Sequence, residues 1–197
     1  MSFNGTDYQI GPRFLELGGY ARSRMKLHQV GTSELRKLAS KTGEHANLMV
    51  EDYGYGIFLD KSKGQDAVKL DTYVGMRVHI QSTALGKAIL AHTPRERVEQ
   101  ILDQHGLPQI TENTITDRQE LLDELEAVRE RGVAIDDEER ISGIWCISAP
   151  IKSDDRVLGA VSVSGPTSRM KNDRLNDEVA NMVRSTANVI EVNSTYS

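Results

Sequence analysis

Gln81-Ser82-Thr83-Ala84-Leu85-Gly86-Lys87-Ala88-Ile89-Leu90-Ala91 is the stretch on which the reading of this chain turns. Upstream the sequence is glycine-punctuated and rich in short β-like runs. Within the stretch, Leu85, Ala88 and Ile89 fall at helical spacing. Ser82 or Thr83 can cap the helix so formed. Small residues at a helix start leave backbone N–H groups open, and such an end favours an anion. The turn is read as one wall of a small-molecule pocket.

Upstream, residues 1–11 read as an irregular lead-in, with turn chemistry at Asn4-Gly5-Thr6-Asp7 and a strand end at Tyr8-Gln9-Ile10-Gly11. Pro12 suits the first position of a helix, where no amide donor is needed. Phe14, Leu17, Ala21 and Met25 lie roughly on one face of it, Gly18-Gly19 weaken it, and Gly31 breaks the pattern. Ser33 is read as the cap of a second helix through Leu35, Leu38 and Ala39, ending at Gly43. Three runs then predict an antiparallel meander with one wet face: 46–50, 55–60 and 67–71, with turns at 51–54 and 61–64.

Downstream, Thr93-Pro94-Arg95-Glu96 combines a Thr cap, a first-position Pro and a Glu three residues after the cap, before Val98, Ile101 and Leu102. Thr116-Asp117-Arg118-Gln119 reads as another capping box, opening a helix through Leu121, Leu122, Leu125 and Val128 that Gly132 stops. A strand resumes at Val133-Ala134-Ile135. Residues 144–151 and 157–164 flank a turn at Ser153-Asp154-Asp155-Arg156 and make the best central strands. Leu175, Val179, Met182, Val183, Thr186, Val189 and Ile190 stripe a last helix, read as core or subunit interface, before a frayed end. Helices at both ends of strands in two groups predict an α+β domain.

The chain has 197 residues, 38% hydrophobic and 27% charged, which suits a globular domain able to bury a real core. No apolar run approaches the roughly 20 residues that span a bilayer, and the first residues lack a signal-peptide order. A single cysteine, Cys146, excludes an internal disulfide framework and predicts a reducing, cytoplasmic setting. The formal net charge is −5, with 29 acidic against 24 basic residues. That balance argues against direct DNA binding by most of the surface.

Four stretches together resemble the C-terminal effector-binding domain of IclR-type transcription regulators. They are 8–18 (Tyr8-Gln9-Ile10-Gly11-Pro12-Arg13-Phe14-Leu15-Glu16-Leu17-Gly18), Ser82-Thr83-Ala84-Leu85-Gly86-Lys87-Ala88, Asp136-Asp137-Glu138-Glu139 with Gly143 and Cys146, and Ala149-Pro150-Ile151 leading to Ser162-Val163-Ser164-Gly165-Pro166. The resemblance covers about Tyr8 to Ile190. It implies a GAF-like fold, a curved antiparallel sheet flanked by helices, in a homodimer or homotetramer. It further implies that operator DNA is bound by an N-terminal winged helix-turn-helix missing from this chain, not by the chain itself. On that reading residues 1–11 are the lead-in and remnant of the wing, with 1–5 a truncation start or cloning remnant. Residues 12–30 are the linker helix, 31–192 the effector-binding domain and 193–197 a frayed tail.

The resemblance also implies an effector site for a small organic or aromatic carboxylate. The amides of Ala84 and Leu85 would hold the carboxylate, Asp136, Cys146, Ser162 and Ser164 would line the rest, and Ala67 and Leu70 would close an apolar wall. Hydroxyls at 162 and 164 share a strand face and can converge on one ligand; bonds to neighbouring backbone are the alternative. The family often has a Pro and then a His before the Ser/Thr-Ala-x-Gly-Lys-Ala motif, where this chain has His79 and Gln81.

Rival chemistry finds less in the residues. Cys146 with His79 as base would make a small thiol enzyme, but it needs a depressed thiol pKa and a base in reach. A phosphate loop around Gly86-Lys87 would need Gly at 81 and Ser or Thr at 88, where Gln81 and Ala88 stand. The five histidines show no paired metal-ligand spacing, and Asp136-Asp137-Glu138-Glu139 reads as a solvated strand edge. No catalytic residue, metal or cofactor is expected. An assembly module with a vestigial pocket is the remaining alternative to a sensor.

Overall fold

A computed structural model describes residues 2–4, 7–153, 156–171 and 173–196, with side chains described from Ile10 onward except at 173–176. The turns expected at Gly5-Thr6 and Asp154-Asp155, and the side chain of Leu175, lie outside the described residues. A hairpin of β1 (Ser2–Asn4) and β2 (Asp7–Gln9) leads into α1 (Arg13–Ser23) and α2 (Lys26–Thr42). Then come β3 (His45–Asp52), β4 (Tyr55–Lys63), β5 (Arg77–His79), a 3-10 turn at Ile80–Ser82 and α3 (Ala84–Ala91). Helices α4 (Arg95–His105) and α5 (Arg118–Arg131) precede β6 (Ala134–Asp137), β7 (Ile144–Ser153) and β8 (Arg156–Pro166). A short α6 (Thr167–Met170) and a long α7 (Asp173–Tyr196) finish the chain.

Six strands form one curled sheet in the order β5-β4-β3-β8-β7-β6, every neighbouring pair antiparallel. Side-chain alternation along these strands gives the sheet two different faces. Leu48, Ile147, Val161 and Val163 point to one side, where Leu35 and Leu38 of α2 and Val183 and Ile190 of α7 cover them. Each such side chain, fully removed from water, contributes about 1.5–3 kcal/mol. Met49, Phe58 and Ala160 point to the other side and meet α3, with α4 and α5 packed beyond it. Among the described residues, no helix is long and apolar enough to cross a membrane.

Gly31 does not break its helix: α2 runs through it, and a Cβ there would stand 3.0 Å from Leu48 Cδ2, so the bare backbone lets α2 sit close against the sheet. The break falls instead at Arg24-Met25. At Gly86 a Cβ would stand 1.7 Å from the Ile80 carbonyl oxygen, so α3 abuts the preceding 3-10 turn at backbone distance.

Several local expectations shift. Residues 67–71 form no strand; 64–76 is an irregular excursion, and the third strand of the meander is β5. Ser33 lies inside α2 and Thr93 donates to the Ile89 carbonyl, so neither caps a helix. The cap of α5 is Asp117, one residue later than Thr116, accepting from Glu120 N at 2.9 Å. Helix α7 turns Val179, Ala180, Val183, Ala187 and Ile190 inward, leaves Val189 exposed and continues to Tyr196 rather than fraying at 193.

Gly86→Ala is expected to destabilise the domain by at least about 3 kcal/mol, because backbone rather than a flexible side chain must give way. Gly18→Ala, with open space around it in α1, should leave stability unchanged or slightly raised. Urea unfolding of the two variants measures the contrast.

Candidate functional site

The site grows out of strand register. Across the face opposite α2 and α7, Asn47 of β3 stands beside Ser162 of β8, which stands beside Ser148 of β7. One pleat along, Ser164 pairs with Cys146 and Cys146 with Asp136 of β6. All lie on the α3 side of an otherwise apolar sheet. Asn47 Nδ2 donates to Ser164 Oγ at 2.9 Å and Ser162 Oγ at 3.3 Å, so both serines are engaged by a side chain. Ser148 donates to the Val161 carbonyl. Asn47 Oδ1 is buried and accepts no hydrogen bond among the described residues.

Above this polar strip stands the start of α3. Of the two candidate caps, Thr83 takes the role: its Oγ1 accepts from Gly86 N at 2.9 Å and its carbonyl from Lys87 N. The first-turn amides that this cap does not take belong to Ala84 and Leu85. Between them and the strip lies a narrow, partly open cavity. Ala84, Leu85, Asp136, Cys146, Ser162 and Ser164 all line it, and so does Leu70. Ala67 does not: it is buried, but away from the cavity wall.

The acidic run departs from the solvated-edge reading at two of its four residues. Glu138 adopts φ +63°, turning the chain so that Glu139 is buried as well as Asp136. Asp136 Oδ1 accepts from Glu139 N at 2.8 Å and Arg140 N at 3.4 Å. Burial, and secondarily the nearby Glu139 charge, push its carboxyl up to about 7. Glu139 binds Lys87, whose side chain is 2% exposed and also lies 3.6 Å from Glu124 of α5. Lys87 is thus an internal tie between α3, α5 and the β6–β7 connection, not a ligand for phosphate.

The thiol-enzyme reading lacks its parts. Burial, reinforced by the Asp136 charge, raises the Cys146 thiol well above the ordinary value, opposite to what a nucleophile needs. His79 sits on edge strand β5, four places from β7 in the sheet order, and does not line the cavity. Gln81 is buried with its Nε2 unpartnered among the described residues.

Of the cavity residues that escaped the sequence reading, Asn47 and Arg140 bear most on its chemistry, and neither has a local signal. Asn47 sits in an apolar run and looks like any strand residue. Arg140 follows four acidic residues and reads as their surface partner, yet it lines the cavity, with its guanidinium over the Phe58 ring at 5.6 Å.

A family model described as "Bacterial transcriptional regulator IclR C-terminal" matches residues 20–192. A probable HTH-type transcriptional regulator, ArcR, of Halobacterium salinarum is 36% identical over 189 residues, which are 94% of this chain and 72% of that protein. The crystal structure of the Thermotoga maritima IclR superposes with a TM-score of 0.88 at 30% identity, covering 94% of this chain and 75% of that one. A double mutant of the PobR inducer-binding domain from Acinetobacter, in complex with 3-hydroxybenzoic acid, superposes with a TM-score of 0.75 at 27% identity. That match covers 83% of this chain and 96% of the other.

Two outcomes follow from the buried charges. Lys87→Ala should destabilise the domain by about 3–5 kcal/mol in urea unfolding, because it strands Glu139 without its counter-ion. The native state holds the Asp136 proton more tightly than the unfolded chain, whose carboxyl titrates near 4. Its contribution to stability is therefore whole below pH about 4 and lost as pH rises through about 7. The stability of the wild type minus that of Asp136→Asn should fall steadily from pH 4.5 to 8; a flat difference contradicts the assignment.

Proposed function

The chain belongs to the IclR family of bacterial transcriptional regulators, and on that premise we propose that it is the part that senses a small organic or aromatic carboxylate. The observation that carries the reading is the cavity itself, an apolar chamber with one polar strip, placed at the first turn of α3. The ligand carboxylate accepts from the amides of Ala84 and Leu85, where the helix dipole and unused donors favour negative charge. Ser162, Ser164, Cys146 and Asp136 meet the ligand's remaining polar atoms, and Leu70 packs on its apolar part. PobR's 3-hydroxybenzoic acid, an aromatic carboxylate, supports the class.

Binding regulates only through a difference in affinity between two conformations of the domain. Strand β3, which carries Asn47, is joined directly to α2, and α2 follows α1, so occupancy of the polar strip bears on the helices that lead toward the N-terminus. Residues 1–11 then act as the wing remnant, 12–30 as the linker and 31–192 as the sensing domain. Operator DNA is contacted by a winged helix-turn-helix outside this chain, and spacing of two such heads sets operator affinity. A homodimer or homotetramer provides the two heads; the exposed Phe14, Leu15, Leu17 and Tyr20 of α1 support an assembly that covers them. The protein works in the cytoplasm and is not an enzyme.

Thermal denaturation against a panel of aliphatic and aromatic carboxylates should find members that raise the melting temperature. Ala84→Pro removes one amide donor at a position where Pro fits a helix, and Ser162→Val removes one hydroxyl. Both variants should fold and both should weaken binding by about tenfold. If no carboxylate binds while assembly survives both substitutions, the pocket is vestigial and the domain is an assembly module.

A further inference from the structure

Arg140 is the cavity's unexplained group. It is the only cation among the lining residues, and no carboxylate lies within ion-pair distance of its guanidinium among the described residues. Among the described residues its one side-chain hydrogen bond runs from Nη2 to Met76 Sδ at 3.3 Å, and a thioether is a weak acceptor. Burial disfavours its charge and the nearby Asp136 charge favours it without a direct ion pair, so the guanidinium keeps donors for an arriving anion.

The surroundings sharpen the point. Asp136 supplies its Oδ1 to the Glu139 and Arg140 backbone amides, not to the guanidinium. Lys61 lies close enough for Arg140 to disfavour its charge, and among the described residues its ammonium donates only to Thr72, at the carbonyl and Oγ1. Arg140, Leu70 and Ile141 also line an outer cleft with Lys69 and Asp71, so Arg140 stands at the mouth between cavity and solvent. Its backbone is held firmly. Thr111 and Thr114 donate to the Glu138 and Glu139 carbonyls at 2.6–3.0 Å, and Gly143 N donates to Glu138 Oε2 at 2.7 Å. A backbone fixed before any ligand arrives lowers the cost of presenting the guanidinium to one.

We propose that Arg140 receives a second acidic group of the effector, so that this domain selects organic diacids over the corresponding monoacids. The inference rests on the reading of the cavity as a carboxylate site. One carboxylate is met by uncharged amides at the start of α3. The other forms a charge-assisted, two-pronged pair with the guanidinium, which a monoacid would leave unpaired.

The test compares matched probes on the 197-residue chain by isothermal titration calorimetry: succinate against succinamate, and terephthalate against 4-carbamoylbenzoate. Within each pair only the charge at one end differs. At least one diacid should bind about ten- to a hundredfold more tightly than its monoamide. Arg140→Met should abolish that preference by weakening the diacid far more than the monoamide, and Arg140→Lys should restore part of it. Equal affinity for diacid and monoamide, or a preference that survives Arg140→Met, overturns the role of Arg140 while leaving the carboxylate site standing. Binding of none of the four overturns both.

Discussion

A fully buried ammonium organises this domain. Lys87 leaves solvent on the inner side of α3, and a charge so placed must be met by carboxylates brought from elsewhere in the chain. Glu139 comes from the β6–β7 connection and Glu124 from α5. To deliver Glu139 the connection adopts a left-handed turn at Glu138, which brings it to the same side as Asp136 of β6 and sets Arg140 on the cavity wall. Three sequence-distant segments thus share one electrostatic demand. The walls of the cavity are fixed as a by-product of satisfying it.

The sheet supplies the other constraint. Its α2/α7 face is covered mainly by large apolar side chains, with Asp60 of β4 a polar exception that Thr32 and His28 of α2 meet at its margin. Its α3 face alternates the same strands into Asn47, Ser162, Ser164, Cys146 and Asp136. A polar strip beneath a helix start is stable only if its atoms bond one another or something that enters. Asn47 satisfies the two serines but leaves its own Oδ1 open.

Much of the architecture is legible in the sequence, and particular residues show where legibility stops. The long apolar runs at 144–151 and 157–164 announce central strands, and Thr83 announces the cap of α3, because these signals are local. The run Ala67–Asp71 has strand composition, yet Gly64, Asp66 and Gly75 bond to the Glu44, Gly43 and Phe58 carbonyls and hold the segment as an irregular cover. The expected caps fail by a residue for different reasons: Thr93 spends its hydroxyl on the Ile89 carbonyl of α3, whereas the Asp117 carboxylate, one residue after Thr116, takes the Glu120 amide at the start of α5. Seven of the eight site residues inferred from the family resemblance line one cavity. Ala67 falls outside it with the lost strand. Arg140 carries no sequence signal at all, since an arginine after four acids reads as their partner; only the left-handed turn at Glu138 turns it elsewhere.

The cavity's floor and its roof are made of different material. The floor is sheet, where every substitution is felt by the α2/α7 core on the other side of the same strands. Beyond the start of α3 the roof is loop: Leu70 and Thr72 from the 64–76 excursion, Arg140 and Ile141 from the β6–β7 connection. Side chains in the roof can be exchanged without repacking a core. A lineage can therefore change what this scaffold detects by rewriting a handful of roof residues while inheriting its folding machinery intact, and recognition is free to drift faster than architecture.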